Sequence, residues 1–212
     1  MGLAFDSDTN TLYGSDISPP RLITINTITG AGSLVGSMGP SHEADGLSFD
    51  SDSNTLLGVD GLTGTLVTIN TNTGGASAVG SLGDVGFTDV DGLAVDIDTN
   101  TIFGSSTFGD QLIEIDRFTG VATLLASLGF SSVAGLAFDP DTDTLYASAT
   151  VTDALVTIDT ATAVGTVVGP IGFGDVTALA FDPVTDTLFG VDNATDQLIE
   201  IDPVTGDGTG VG

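Results

Sequence analysis

The sequence has no cysteine, no tryptophan and no lysine; it has one histidine, His42, and two arginines, Arg21 and Arg117. Without cysteine there are no disulfides and no thiol catalysis, and the redox compartment leaves no mark. With Lys and Cys missing, His42 is the one obvious candidate for a general base near neutral pH, although a lone loop histidine is more often just a loop residue. No apolar run approaches the roughly 18 residues of a membrane helix, and no charged-then-apolar leader opens the chain. Met1 stands directly before the first expected strand, as in a mature form, an excised domain or a piece of a longer array.

Acid is present in excess. Asp and Glu total 29, the formal charge is −27, and only Glu43, Glu114 and Glu200 are not Asp. Such a surface repels phosphate and anionic lipid, which excludes nucleic acid and membrane surfaces as partners. Cations are its natural counterparts. Two accounts of the acidity stand side by side. Self-repulsion can keep a repetitive β protein soluble, with salt screening it, or some Asp residues can be placed to hold divalent ions. The bias to Asp over Glu leans toward extracellular repeat proteins, so secretion is the expected localisation.

The organisation lies in a repeated phrase. Gly2-Leu3-Ala4-Phe5-Asp6 returns as Gly46-Leu-Ser-Phe-Asp50, Gly92-Leu-Ala-Val-Asp96, Gly135-Leu-Ala-Phe-Asp139 and Ala178-Leu-Ala-Phe-Asp182, at spacings of 44, 46, 43 and 43. A period in the low forties made of short strands predicts a β-propeller. Each unit holds four strand-like runs; in the fourth these are 135–139, 144–148, 154–159 and 165–169. Alternating apolar residues, β-branched content and Asp/Asn…Gly turns support antiparallel hairpins. The expectation is an all-β, five-bladed β-propeller with four antiparallel strands per blade, in one domain over 1–212. Its blades run 2–45, 46–91, 92–134, 135–177 and 178–212. The Phe5, Phe49, Phe138 and Phe181 series, with Val95 as the exception, would pack between blades.

Because the chain opens on a first strand and Gly212 aligns with Gly36 at the end of a fourth, no closing blade is shared. The seam between blades one and five would rest on side-chain packing. A tolerant ring, a domain from a longer protein and a seam used for assembly all fit.

The pattern Gly-Leu-Ala-Phe-Asp…Thr-Leu-Tyr-Gly…Leu-Ile-Thr-Ile-Asn…Thr-Gly resembles the NHL/YVTN-type propeller repeats, and in particular secreted bacterial propellers that repeat this phrase. The resemblance spans the chain through turn and core residues. It implies the fold and a binding or scaffold role, and carries over no catalytic residue.

Ligands of propellers sit on the face made by the loops that lead into the inner strands and those between second and third strands. The first set reads 40–45, 84–91, 130–134 and 173–177; the second contributes Asp16, Asp60, Asp110, Asp153, Asp192 and Asp196. If they share a face, Glu43, Asp45, Asp89, Asp91 and Asp175 ring the channel mouth as an oxygen-only set suited to Ca²⁺, or to Mg²⁺; a solvated acidic rim is the alternative. On the opposite face, Asp139, Asp141 and Asp143 are spaced like the start of a calcium loop but lack its mid-loop Gly and distal Glu, and hairpin turns account for them equally. Tyr13 and Tyr146 fall on second strands as expected blade surface, too few aromatics for a sugar platform. The resulting expectation is a non-enzymatic extracellular binding or scaffold module, possessing no catalytic residues and stabilised by a divalent cation, with an unknown protein or glycan ligand. Its alternatives are a carboxylate-dependent, glycosidase-like hydrolase at the channel mouth and a structural protein that self-assembles through the open seam rather than remaining a monomer.

Overall fold

The computed structural model describes residues 1–40, 42–83, 87, 89–107 and 109–211. Ser41, Asp84, Val85, Gly86 and Thr88 of the expected inner-strand loops, Phe108, and Gly212 at the expected end of the last strand lie outside the described residues.

Every repeat folds into one four-stranded antiparallel sheet whose spatial order follows the chain. Blade one contains β1 (Leu3–Asp6), β2 (Thr11–Ile17), β3 (Pro20–Ile25) and β4 (Gly32–Ser37). Blade two contains β5 (Ala44–Asp50), β6 (Thr55–Asp60), β7 (Thr65–Ile69) and β8 (Ala76–Ser81). Blade three has β9 (Val90–Asp96), β10 (Thr101–Ser106), β11 (Gln111–Ile115) and β12 (Ala122–Ser127). Blade four has β13 (Val133–Asp139), β14 (Thr144–Ala149), β15 (Ala154–Ile158) and β16 (Gly165–Pro170). Blade five has β17 (Val176–Asp182), β18 (Thr187–Asp192), β19 (Gln197–Ile201) and β20 (Gly208–Val211). No sheet borrows a strand from another, so the ring has no shared closing blade. The described residues contain no helix, and therefore none long and apolar enough to cross a membrane.

First strands line the axis, and β1 lies against both β5 and β17. The approach there is close enough to demand glycine: a Cβ on Gly46 would sit 2.8 Å from the Asp91 carbonyl, and one on Gly92 would sit 2.5 Å from the Ala134 carbonyl. The first-strand Phe series packs between blades as expected. Phe49 and Phe181 stack on Tyr13 and Tyr146 of the preceding blade at 6.5 and 6.2 Å between ring centres, and Phe5 stacks on Phe189 at 6.3 Å. The two tyrosines are therefore not blade surface; they are 7 % and 8 % exposed. A propeller blade is covered on both faces by its neighbours, so second-strand aromatics on either face have a partner to bury against.

Local turn chemistry sets the register. At the end of each first strand a buried Asp folds back on its own turn. Asp6 Oδ1 accepts the N–H groups of Asp8 (3.0 Å) and Thr9 (3.2 Å), while Oδ2 accepts the Thr9 hydroxyl at 2.6 Å. The turn then closes on a left-handed Asn10, Asn54, Asn100, Asp143 or Asp186, residues that tolerate that conformation. A β-bulge between third and fourth strands, as at Leu22/Ile23, brings a small residue of the outer strand against the hairpin turn of the next blade.

Candidate functional site

A second bulge builds the channel mouth. At the start of the inner strands, Ala44 pairs with Asp60 and Gly46 with Val59, so Asp45 has no partner across the ladder. Asp91 is skipped in the same way between Val90 and Gly92, and Thr177 between Val176 and Ala178. Such a residue is re-aimed out of the sheet. These side chains converge, with Met1, Ala134 and Asn193, on one open cavity of about 210 Å³.

Burial raises the Asp45 carboxyl above its ordinary value. The N-terminal ammonium and the Gly61 N–H at 3.1 Å oppose that rise, and the charges of Asp91 and Glu43 add to it. Burial also raises Asp91, opposed by the Thr107 hydroxyl and the N-terminal ammonium and reinforced by Asp89. Two carboxyls with raised pKa values in one cavity can take up a cation, accept a basic group, or hold a proton more readily than an exposed carboxylate does.

The other expected mouth residues behave differently. Asp89 accepts the Ser106 hydroxyl at 3.3 Å, and its backbone carbonyl accepts the Thr107 N–H at 3.1 Å. Asp175 donates its backbone N–H to buried Asp192 at 3.0 Å. Glu43 is half-buried near Asp45. The structure thus brings Asp45 and Asp91 together in the cavity, while Glu43, Asp89 and Asp175 are not among the residues that line it. Among the described residues no group of three or more His, Cys, Asp or Glu side chains is placed to hold a metal ion.

On the opposite face, Asp139 Oδ1 accepts the N–H groups of Asp141 (2.9 Å) and Thr142 (3.4 Å), and Oδ2 accepts the Thr142 hydroxyl. Asp139 is 2 % exposed, whereas Asp141 and Asp143 point to solvent. Its carboxylate is occupied as a hairpin clasp, repeated at Asp6, Asp50, Asp96 and Asp182.

Sequence reasoning missed three features. Thr177 precedes the fifth copy of the repeated phrase as Asp45 and Asp91 precede theirs, and its buried hydroxyl has no hydrogen-bond partner. Asn193 joins the cavity from the loop after β18. His42 is not a bare loop residue: its Nδ1 lies 3.5 Å from Oδ2 of Asp60, a carboxylate only 1 % exposed.

No protein-family model matches the chain, and no curated protein matches it by sequence. Solved structures do match in fold. A propeller from a nidogen/laminin complex is 18 % identical, with a TM-score of 0.72 over 99 % of this chain and 78 % of that one. A gluconolactonase from Xanthomonas campestris is 17 % identical, with a TM-score of 0.67 over 99 % and 74 %. The virginiamycin B lyase from Staphylococcus aureus is 14 % identical, with a TM-score of 0.62 over 99 % and 68 %. At these identities the likeness is one of fold alone, the β-propeller, and it assigns no repeat family. The expectation that the chain is not an enzyme is corrected here. Gluconolactonase-type enzymes are built on the same fold, and the absence of Lys and Cys excludes little where burial has already raised two carboxyls in a cavity. The fold is common to proteins found in binding complexes and to enzymes alike.

Proposed function

We propose that this protein is an extracellular binding module with NHL/YVTN-type repeats, whose ligand site is the acidic channel mouth and whose resident ion is Ca²⁺ between Asp45 and Asp91. One observation carries the reading: bulges on neighbouring blades aim both carboxylates into one cavity, where burial makes each costly to ionise alone. A divalent cation relieves that cost. The donor set suits a hard ion, since Asp45 and Asp91 bring carboxylates to the cavity, Thr177 an unpartnered hydroxyl, and Asn193 an amide whose oxygen is a further hard donor. With two carboxylates and no third, the ion keeps open positions, through which a hydroxyl or carboxylate of a glycan or protein ligand completes its shell.

The test is thermal unfolding at low ionic strength in EDTA, in millimolar Ca²⁺, and in a monovalent salt of matched ionic strength. A ligand that binds only the folded state at 100 times its Kd adds about 2.7 kcal/mol. The expected outcome is a Ca²⁺-specific rise in midpoint that disappears in the Asp45→Asn/Asp91→Asn variant. Equal rises in both salts would refute the site and leave generic screening of a −27 charge.

The raised carboxyls favour one further reading, hydrolysis of a lactone or glycoside at the same mouth, with Asp45 as the proton-transfer group and Asp91 as its charged neighbour. The gluconolactonase fold likeness supports testing it. Turnover of a lactone panel that is lost in Asp45→Asn would establish it, and a silent panel would remove it.

A further inference from the structure

The fourth strands form the circumference of the ring, and β4, β8, β12, β16 and β20 carry no charged residue. Each is the last strand of its sheet, and native sheets commonly guard such edges with Lys or with inward-pointing charge. The edge of blade three departs furthest from that pattern. Phe118, Val121, Leu124 and Leu125 are all exposed there, in and just after the turn that leads into β12. Phe118, at 79 % exposure, is the one aromatic among the large apolar residues described as exposed, and Leu124 is 48 % exposed.

Backbone alternation decides which groups of β12 face outward. The Val121 carbonyl accepts the Asp116 N–H at 2.9 Å inside the β11–β12 hairpin, whereas the Ala122 N–H leaves the sheet for the Leu82 carbonyl of blade two at 3.0 Å. Successive residues of an antiparallel ladder alternate between the partner strand and the open side. Thr123 therefore faces β11, and Leu124 turns its N–H and C=O to the open edge, where no described strand pairs with β12. Side chains alternate too: Leu124 lies opposite buried Ile113, and Thr123 opposite exposed Glu114. Asp110 and Asp116 flank β11 at its two ends, and Arg117, the cation of this hairpin, is engaged with Asp50. Other blades hold only half of this arrangement. Glu200 repeats Glu114, but Gly210 takes the place of Leu124; Leu34 and Val167 repeat the apolar residue, but Thr24 and Thr157 replace the acid.

We propose that the open edge of β12 is a docking site for a short extended segment of a partner protein in which basic and apolar residues alternate. The free edge specifies a strand, because the main chain of Leu124 offers a donor and an acceptor in register for one. Leu124 itself specifies an apolar residue directly across from it. The acids specify Lys or Arg on the other face. A partner residue opposite Thr123 shares its face with Glu114, two strand spacings or about 10 Å away, within the joint reach of two long side chains. The overall charge of −27 favours the same sign of partner and opposes a second copy of this chain on the edge. This surface lies on the rim of blade three, and its occupation does not depend on the channel mouth.

The probe is a capped peptide of alternating Lys and Val, titrated into ¹⁵N-labelled protein. One control carries Glu in place of Lys; the other has its Val amides N-methylated, which removes the donors that would face Leu124 while keeping the charge. The expected result is chemical-shift change centred on Phe118 and on Thr123 to Leu125 with the Lys peptide, none with the Glu peptide, and affinity lower by roughly tenfold after N-methylation, the worth of one or two hydrogen bonds. Leu124→Pro removes the outward N–H without touching the β11 ladder and should weaken binding as much. Glu114→Gln, which leaves the backbone alone, should weaken it and flatten its dependence on salt. Equal affinity for the N-methylated peptide would mean attraction to acid alone and overturn the inference. So would shifts centred on Asp45 and Asp91, or self-association without peptide that Leu124→Pro abolishes, since a second copy would then be the occupant.

Discussion

Arg117 reaches from the turn between β11 and β12 across a blade boundary, setting Nη1 2.7 Å from Asp50 Oδ2. Asp50 is 1 % exposed. Removing one partner of a buried ion pair costs about 3–5 kcal/mol when the remaining charge is left uncompensated. The molecule contains controls that argue for less. Asp6, Asp96, Asp139 and Asp182 occupy the same turn position at 2–5 % exposure, and none of them pairs with an arginine. Asp50 has its own turn donors as well: the N–H groups of Asp52 (3.1 Å) and Ser53 (3.3 Å), and the Ser53 hydroxyl at 2.5 Å. On the other side of the pair, Nε and Nη2 of Arg117 are buried without acceptors, a penalty that an apolar replacement removes. Arg117→Met should therefore cost only about 1–2 kcal/mol, a fall of roughly 3–6 °C in a chain of this size. Burial pushes the Asp50 carboxyl up, but Ser53 and Arg117 outweigh it and hold the group below its ordinary 3.8. Stability from a depressed carboxyl is present above that value and is lost as pH falls through the folded pKa. The gap between wild type and variant should accordingly close in acid. Urea unfolding at pH 7 and at stepwise lower pH measures both. A loss above 3 kcal/mol at pH 7, or a gap independent of pH, would refute the claim that the turn alone satisfies the aspartate.

Gly74 adopts φ +75°, and a Cβ there would lie 2.6 Å from the Gly36 backbone of the preceding blade; Gly74→Ala should cost about 2–4 kcal/mol in denaturant unfolding, and a loss under 1 kcal/mol would show that the blades can part there without cost. Asp45 is raised above 3.8, by burial first and by Asp91 and Glu43 in addition. The fold then favours its protonated form, so stability falls as pH rises from about 3.8 through the folded pKa and stays lower above it. Asp45→Asn should therefore raise the midpoint in EDTA at pH 7, with the gain vanishing below pH 3.8, as thermal scans across pH would record.

Much of the architecture was legible because each local rule agreed with the period. The Gly-Leu-Ala-Phe-Asp phrase marked the inner strands, Asp…Asn and Asn…Gly runs marked the turns, and the chain's first strand in phase with its last unit implied blades of contiguous sequence. What escaped was decided between elements. Period-2 alternation cannot assign an outer face to a sheet covered on both sides, which is why Tyr13 and Tyr146 were misplaced. The bulge that turns Asp45 and Asp91 into the channel is a mismatch of register between two strands, visible in neither alone. Thr177 and Asn193 meet those acids only when five sheets close into a ring. His42 was noticed, but its pairing with Asp60 depends on a loop lying over the end of β6.

Contiguous blades also have a kinetic meaning. Each strand pairs with the strand next to it in the chain, and most seams join units one repeat apart, about 43–46 residues. Only the meeting of β1 with β17 spans the whole chain. Loop-closure entropy for the ring is thus concentrated in a single late event, while earlier steps accrete one blade on its predecessor at nearly constant cost. That final event falls at the seam where Ile23 is only partly buried, while its counterparts Val67, Ile113, Val156 and Ile199 at the other seams are fully buried. The intact ring should breathe there first, opening like a clasp while four blades remain stacked as an arc.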